Sequence, residues 1–252
     1  MLKAETTLII SALPAIIAAR SISMHEVLEL FNKLQRETRF YIVRHGESTA
    51  NMERRIQGHA DYPLSLNGKR QAESAGCWFR GKAITRVFTS PLLRAHETAL
   101  IIANTASLPA PITVHKLIEL DTGKYSGLTV QEVQEKYPEE QELFRAKSWA
   151  AVSDAESEAS LRKRAIEAWG FLIDEANCHS GDILAVSHGG FIQWLVRTTF
   201  GADTWFPLLT TGNCGLFLLH AIPVKAGMPC FLQWVHINYD ITDVEEQVPP
   251  VF

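Results

Sequence analysis

The run from Phe40 to Val43 limits the folds open to this chain more than any other segment. It is apolar throughout, favours strand conformation and leads directly into Arg44 and His45. An apolar run without alternation is typical of a strand that is buried on both faces, as in a parallel sheet covered by helices. Open sheets of this kind bind ligands at the carboxyl ends of their strands. We therefore expect Arg44 and His45 to lie where a ligand binds.

Beyond Arg39, strand-like and helix-like stretches alternate along the chain, which is typical of an α/β fold. We predict strands in the segments AITRVFTS and DILAVSH, and each of them is followed by a helical pattern. Two β-rich segments, NCGLFLLHAI and CFLQWVHIN, close the pattern. The stretch from about 129 to 160 is acidic and helical without a strand, so we expect it to form a cap over the carboxyl edge of the sheet.

Residues 1–39 are predicted to form a helical extension, and residues 40–252 one globular domain that ends in an acidic tail. An amphipathic helix is expected after Ser23, because a serine side chain can cap the first turn.

The extension also holds an apolar run, LIISALPAIIAA, which is similar in length to the core of a signal peptide. It is shorter than a membrane-spanning helix requires. Glu5 and Pro14 weaken the export interpretation, so we favour a cytoplasmic protein whose extension packs on the domain. Export through an amino-terminal signal is the alternative.

Net charge and cysteine spacing argue against several classes of function. The formal net charge is −4, which gives no general attraction to nucleic acid or to acidic lipid. The four cysteines are scattered, with no CxxC pair and no histidine spacing typical of zinc. We therefore expect free thiols in a reducing compartment, no metal site, and no nucleic-acid or membrane partner. The oligomeric state stays open, a homodimer included.

Histidine followed by glycine ends an apolar strand in both VRHG and VSHGG, which places His45 and His188 at strand ends. Arg94 is expected in the first turn of a helix after a strand, near amide groups that attract anions. Glu119 precedes a loop that contains glycine. Two imidazoles, two guanidinium groups and a carboxylate are thus predicted around one pocket.

This set of side chains favours phosphoryl transfer. Arg44 and Arg94 can each present a planar fork of donors to two phosphoryl oxygens. A neutral imidazole is a competent nucleophile when a backbone carbonyl fixes its second nitrogen, so His45 is the candidate nucleophile. We expect a protonated His188 to stabilise the transition state, and Glu119 to protonate the departing alcohol and later to activate water.

Four segments of the chain, taken together, resemble the histidine phosphatase superfamily. They are RHGESTAN, QGHADYPLSLNGKRQA, TSPLLRAHETA and VSHGG, and they follow in the family's order. The resembling branch includes cofactor-dependent phosphoglycerate mutases and related phosphatases. The resemblance implies a three-layer α/β/α sandwich with a mostly parallel central sheet and the active site at its carboxyl edge.

The resemblance also implies roles for individual residues. His45 matches the histidine that becomes phosphorylated, and Glu119 aligns with the family's proton donor. The rest of the catalytic set and the substrate-binding set follow from the same motifs. They are Arg44, Arg94 and His188 in the phosphate pocket, and Asn51, Gln57, Gly58 and Gly189 on the substrate side.

Three of these assignments have a structural alternative. Arg94 could form a surface ion pair with Glu97, Asn51 could cap a helix or a turn, and Glu119 could be a solvated loop carboxylate.

The residues after Glu119 favour a phosphatase over a mutase. The mutases of the family carry an Arg-His-Tyr-like stretch there, whereas this chain has Leu120, Asp121 and Thr122. Aromatic residues of the expected cap fit a small or partly apolar phosphomonoester. We therefore predict a metal-independent phosphomonoester hydrolase that acts through phosphohistidine, without a cofactor, on a small phosphorylated substrate. A phosphoglycerate mutase or related phosphotransferase is the alternative, followed by a noncatalytic phosphate-binding protein.

Overall fold

The computed structural model describes residues 26–224 and 228–242. Within these ranges, residues 26–31 are helical. Ser23, the apolar run before it and most of the predicted acidic tail lie outside the described residues. Among the helices of the described ranges, none has the length and apolar character needed to cross a membrane.

A six-stranded sheet forms the centre of the fold, with the strand order β3-β2-β4-β1-β5-β6. Its strands are β1 (Thr38–Arg44), β2 (Ile84–Thr89), β3 (Ile112–Thr113), β4 (Asp182–Ser187), β5 (Gly215–Ile222) and β6 (Phe231–Asp240). Strands β1 to β4 are parallel to one another, and β5 forms antiparallel pairs with β1 and β6. The mostly parallel sheet predicted from the sequence is confirmed.

Helices flank the sheet on both faces. They are α1 (Thr49–Met52), α2 (Leu66–Phe79), α3 (Leu93–Ala106), α4 (Val130–Lys136), α5 (Gln141–Lys147), α6 (Glu158–Cys178) and α7 (Gly189–Thr199). Short 3₁₀ turns precede and follow α4 and α5 in the stretch between β3 and α6.

Strand β1 contributes side chains to two hydrophobic cores, one on each side of the sheet. Phe40 and Ile42 belong to the core that contains residues of α6 and α7. Tyr41 and Val43 belong to the core that contains residues of α2 and α3. Successive side chains of a strand point to opposite faces, so an unbroken apolar run serves both layers. The three-layer α/β/α architecture expected for this chain is thereby confirmed.

Aromatic contacts hold the stretch that carries α4 and α5, and one of the rings, that of Trp149, packs against the first core. The rings of Tyr125 and Tyr137 lie 5.5 Å apart, and those of Phe144 and Trp149 lie 5.2 Å apart, measured between centroids. Helix α4 buries none of its residues. This stretch therefore packs through a few rings while most of its surface faces solvent.

An aromatic cluster attaches the helical residues 26–31 to the domain. The Phe31 ring lies 6.1 Å from that of Phe40 and 5.2 Å from that of Trp169, again between centroids. All three side chains are fully buried. Buried aromatic pairs in tilted or edge-to-face geometry contribute to stability beyond the area they bury.

Replacement of Phe31 by alanine is expected to lower the free energy of unfolding by about 3–5 kcal/mol, because it leaves a cavity between Phe40 and Trp169. Urea unfolding followed by circular dichroism measures the change. Leu100→Ala is the control, since Leu100 is an exposed residue of α3 and its replacement should change stability by less than about 0.5 kcal/mol. Equal effects of the two substitutions would contradict the role assigned to Phe31.

Candidate active site

The parallel pairing of β1 with β4 brings the two predicted histidines together. Arg44 lies opposite Ser187 in the register, and the backbone N–H of His45 donates to the Ser187 carbonyl at 3.0 Å. His188 follows directly, and its ring centroid lies 5.1 Å from that of His45. Residues that are far apart in the sequence thus meet at the carboxyl edge of the sheet.

His45 is held as a neutral imidazole whose Nε2 is unprotonated. Its side chain is buried, and Nδ1 lies 2.7 Å from the carbonyl oxygen of Gly46. Because a carbonyl oxygen only accepts, Nδ1 carries the proton and Nε2 carries the lone pair. Burial, followed by the charges of Arg44 and Arg94, lowers the pKa of His45 well below its ordinary value of 6.5. Nε2 is therefore available as a nucleophile at neutral pH.

Arg94 lies in the first turn of α3 and points its guanidinium group at His45. Its Nε donates to His45 Nε2 at 3.3 Å, and its two terminal nitrogens donate to carbonyl oxygens of the loop 58–60 at 2.9 and 3.0 Å. Burial lowers the pKa of Arg94 to about 10, which leaves it charged at neutral pH. Glu97, the alternative partner, instead accepts the amide hydrogen of Leu64 at 2.8 Å.

Arg44 provides a second guanidinium group, which directs most of its donors away from the protein backbone. Its Nη1 donates to the carbonyl of Thr211 in the loop before β5. Its buried Nε has no partner among the described residues. A Cβ at Gly189 would lie 3.3 Å from that Nε and 2.6 Å from the Thr211 hydroxyl. Glycine at this position therefore keeps the space beside Arg44 open.

His188 is fully buried beside His45. Its Nε2 lies 2.7 Å from the hydroxyl of Ser90, and its Nδ1 has no partner among the described residues. Burial is the main cause that lowers the pKa of His188 well below 6.5, and the charge of Arg94 comes next. This direction opposes the protonated imidazole that the sequence interpretation assigned to His188.

The carboxylate of Glu119 is oriented by three backbone amides. Oε1 accepts from the amides of Leu120 and Phe191 at 2.9 and 2.8 Å, and Oε2 accepts from the amide of Gly190 at 3.1 Å. Gly190 and Phe191 lie in the first turn of α7, where backbone N–H groups lack partners within the helix. The alternative of a merely solvated loop carboxylate is therefore wrong.

A buried ion pair fixes the chain segment that carries Glu119. Arg164 of α6 pairs with Glu156 at 2.6 Å, and both side chains are largely buried. The same guanidinium group donates to the carbonyl of Ile118 at 2.6 Å and lies 4.0 Å from the ring centroid of Phe191. Arg164 thus links the backbone before Glu119 to the helix whose amides hold its carboxylate.

Asn51 and Gln57 are joined through one hydroxyl group. The side chain of Ser48 lies 3.0 Å from the amide oxygen of Asn51 and 2.8 Å from that of Gln57. Ser48 and Asn51 also form a capping box at the start of α1. Asn51 therefore caps a helix, as the alternative proposed, while it also lines the cavity described below.

Gly58 adopts a backbone conformation that other residues rarely take, with φ at +50°. A Cβ there would lie 2.2 Å from the hydroxyl oxygen of Thr122. A larger residue would displace this loop, whose carbonyl oxygens hold Arg94.

One cavity of about 230 Å³ collects the predicted residues. Those that line it are Arg44, His45, Asn51, Gln57, Gly58, Arg94, Glu119 and Gly189. His188 is the exception, since it is buried behind the wall beside His45. The structure therefore brings together all nine residues, eight of them at the cavity surface and one below it.

Several residues of the site escaped the sequence interpretation. Ser90 contacts His188 through its hydroxyl group, and Thr211 contacts Arg44 through its carbonyl group. Ser90 belongs to the motif TSPLLRAHETA, which could have indicated its role, whereas none of the four motifs contains Thr211. His59, to which the sequence interpretation assigned no role, lies beside the site, with its Nε2 2.8 Å from the backbone oxygen of Glu119.

Comparison with known proteins identifies the family to which this arrangement belongs. The model of the histidine phosphatase superfamily (branch 1) matches residues 40–224. The chain belongs to the histidine phosphatase superfamily. The resemblance noted from the four sequence motifs is thereby confirmed.

Curated relatives within this superfamily include phosphatases and mutase-like proteins. A 2-carboxy-D-arabinitol-1-phosphatase of Triticum aestivum is 33% identical over 195 residues, which cover 76% of this chain and 38% of the wheat protein. The phosphoglycerate mutase-like protein 4 of Arabidopsis thaliana is 35% identical, over 61% of this chain and 67% of that protein. The chain spans about two fifths of the length of the wheat protein and of an Arabidopsis relative of similar description.

Solved structures share the fold of this histidine phosphatase. A mycobacterial hydrolase superposes with a TM-score of 0.72 at 22% identity, over 81% of this chain and 99% of that one. The YhfR protein of Bacillus stearothermophilus gives a TM-score of 0.66 at 25% identity, over 82% and 98% of the two chains.

Because the pKa values of the two buried histidines are lowered, we expect the free energy of unfolding to decrease as the pH falls below about 6.5. In the folded chain their pKa values lie well below 6.5, whereas in the unfolded chain they are near 6.5. The unfolded state then binds more protons as the pH falls through 6.5, so the free energy of unfolding decreases. The double variant His45→Gln and His188→Gln is expected to reduce this slope by up to about 2.7 kcal/mol per pH unit.

Urea unfolding at pH values between 5 and 7.5 measures that slope, which is insensitive to a general loss of stability from the substitutions. His115→Gln, at an exposed position, is the control and should keep the wild-type slope. An unchanged slope in the double variant would show that other groups cause the pH dependence.

Proposed function

We propose that this histidine phosphatase is a phosphomonoester hydrolase that acts through a phosphohistidine at His45. The observation that carries the proposal is the state of His45, whose unprotonated Nε2 lies beside the guanidinium group of Arg94 at the cavity surface. Arg44 and Arg94 would neutralise the phosphoryl oxygens, and the helix amide of Gly189 would add a further donor.

In the first step, His45 Nε2 attacks phosphorus and the bond to the leaving oxygen breaks. Glu119, in its protonated form, would give its proton to that oxygen, so the product leaves as a neutral alcohol. In the second step the Glu119 carboxylate would take a proton from water, whose oxygen attacks phosphorus as the bond to Nε2 breaks. Inorganic phosphate is released and both side chains return to their starting state.

His188 would become protonated, and could then stabilise the transition state, when the phosphoryl group is bound. A dianion beside the ring favours the imidazolium form, which offsets the lowering of its pKa by burial and by Arg94. Nδ1 has no hydrogen-bond partner within residues 26–224 and 228–242, so the ring has a position for that proton.

A phosphoglycerate mutase is the second candidate, since relatives of that description belong to the same superfamily. Leu120, Asp121 and Thr122 follow Glu119 and add no cation for a second anionic group. We therefore favour hydrolysis of a small phosphomonoester. Within the described residues, no three His, Cys, Asp or Glu side chains lie close enough to hold a metal ion. Each proposed step uses protein side chains and water.

The cellular location proposed from the sequence is the cytoplasm. Cys77, Cys178, Cys214 and Cys230 all carry free thiols, which fits a reducing compartment.

Rapid quenching during turnover is expected to trap an acid-labile phosphate on His45, with a metal chelator present throughout. His45→Ala should abolish both the label and turnover, because it removes the nitrogen that forms the bond to phosphorus. Mass spectrometry of the quenched protein locates the phosphate. Label on another residue, or turnover that persists in the alanine variant, would overturn the mechanism.

Glu119→Gln is expected to slow the phosphorylation step according to the leaving group. The loss should be about 100-fold or more for an alkyl phosphate and less than about tenfold for 4-nitrophenyl phosphate, since an acidic phenol departs without a proton. Single-turnover kinetics isolate this step from hydrolysis of the phosphohistidine.

Asp121→Asn is the matched control, since this neighbouring carboxylate accepts the amide hydrogen of Gly123 and does not line the cavity. This substitution should slow the phosphorylation step equally for both substrates or leave it unchanged. A leaving-group effect in Asp121→Asn that is absent in Glu119→Gln would assign the acid to Asp121.

A further inference from the structure

A second cavity is lined by residues of α4, α5 and neighbouring segments. None of its lining residues belongs to the set proposed to contact the phosphoryl group. Its volume is about 200 Å³. The residues that line it are Ile56, Tyr125, Val130, Val133, Gln134, Tyr137, Phe144 and Arg145. Six of these eight are aliphatic or aromatic, and the hydroxyl of Tyr125 already donates to Glu140 at 2.7 Å. The wall is therefore apolar, with its buried hydroxyl group satisfied.

Two contacts show that this second cavity adjoins the catalytic cavity. Ile56 lines both of them. Trp149 lines the catalytic cavity and Phe144 lines the second one, and their rings meet edge to face at 5.2 Å. For a molecule bound with its phosphoryl group at His45, the apolar second cavity therefore lies on the far side of Ile56 and Trp149.

The cations on these walls, apart from Arg44 and Arg94, are already paired. Arg55 of the catalytic cavity contacts the carboxylates of Glu53 at 2.6 Å and Glu132 at 3.3 Å. Arg145 of the second cavity contacts Glu142 at 2.6 Å. A second phosphate or a carboxylate on the substrate would compete with these carboxylates for the two guanidinium groups. An uncharged group meets no such competition.

We propose that the second cavity binds the leaving group of the substrate, and that this group is apolar or aromatic and carries no second negative charge. The proposal rests on the proposed phosphatase function, since it extends the site at His45. The volume suits an aromatic group, because an apolar cavity of about 150 Å³ holds benzene. Substrates of this class gain binding free energy by burying the ring against Val133, Tyr137 and Phe144.

Binding of two phosphonates, which cannot be hydrolysed, tests the subsite without turnover. Calorimetry should show that 2-naphthylmethylphosphonate binds the wild-type protein at least about tenfold more tightly than methylphosphonate. Val133→Asp should bring this ratio close to one, because it places a charge on the apolar wall. Val130→Asp, at an exposed position of the same wall, should lower the ratio as well.

Leu143→Asp is the matched control. Leu143 is an exposed leucine of α5 that lines neither cavity, so its substitution adds the same charge and should keep the wild-type ratio. Equal affinity of the wild-type protein for the two phosphonates would overturn the proposal. A preference that survives both valine substitutions would also overturn it, by placing the ring elsewhere.

Hydrolysis of 2-naphthyl phosphate and phenyl phosphate separates this proposal from the proposed function. Turnover of both at equal kcat/KM, with no phosphonate preference, would leave the phosphatase function standing and reject the subsite. A phosphonate preference that Val133→Asp removes, without turnover of either ester, would support the subsite and reject the hydrolase function.

Discussion

The parallel pairing of β1 with β4 is the constraint on which the candidate active site depends. The register places Arg44 beside Ser187, so the residues that follow each strand, His45 and His188, meet at one edge. Neither strand could shift by one residue without turning its buried side chains to the opposite layer. Packing of the two hydrophobic cores therefore fixes the strand register, and the register fixes the positions of the two imidazoles.

Charge in this site is concentrated on arginine. Arg44 and Arg94 carry it, while burial and these same charges keep His45 and His188 neutral. Guanidinium groups tolerate burial better than ammonium groups because they are more weakly hydrated, and here carbonyl oxygens satisfy part of their donors. Under the proposed function, these two cations would attract a phosphate while the Nε2 nitrogen of His45 stays unprotonated.

Sequence patterns predicted the parts of this protein that local chemistry determines. The strand at Phe40–Val43 and the motif residues His45 and Arg94 could be read directly, because apolar runs and short motifs have a physical meaning of their own. The contacts of Thr211 and Arg164 could not be read, since they involve backbone carbonyls brought close only by the tertiary fold. The neutral state of His188 likewise depends on burial by distant parts of the chain.

Helix α4 lines the second cavity, yet it buries none of its own residues. The catalytic groups, in contrast, stand on strands and helices whose side chains form the cores. Exposed residues of α4 in this wall, Val130 for one, can therefore be exchanged at little cost in folding free energy, whereas the core residues under His45 cannot. If the two proposals hold, variation in α4 can alter which molecules bind without disturbing the groups that surround His45.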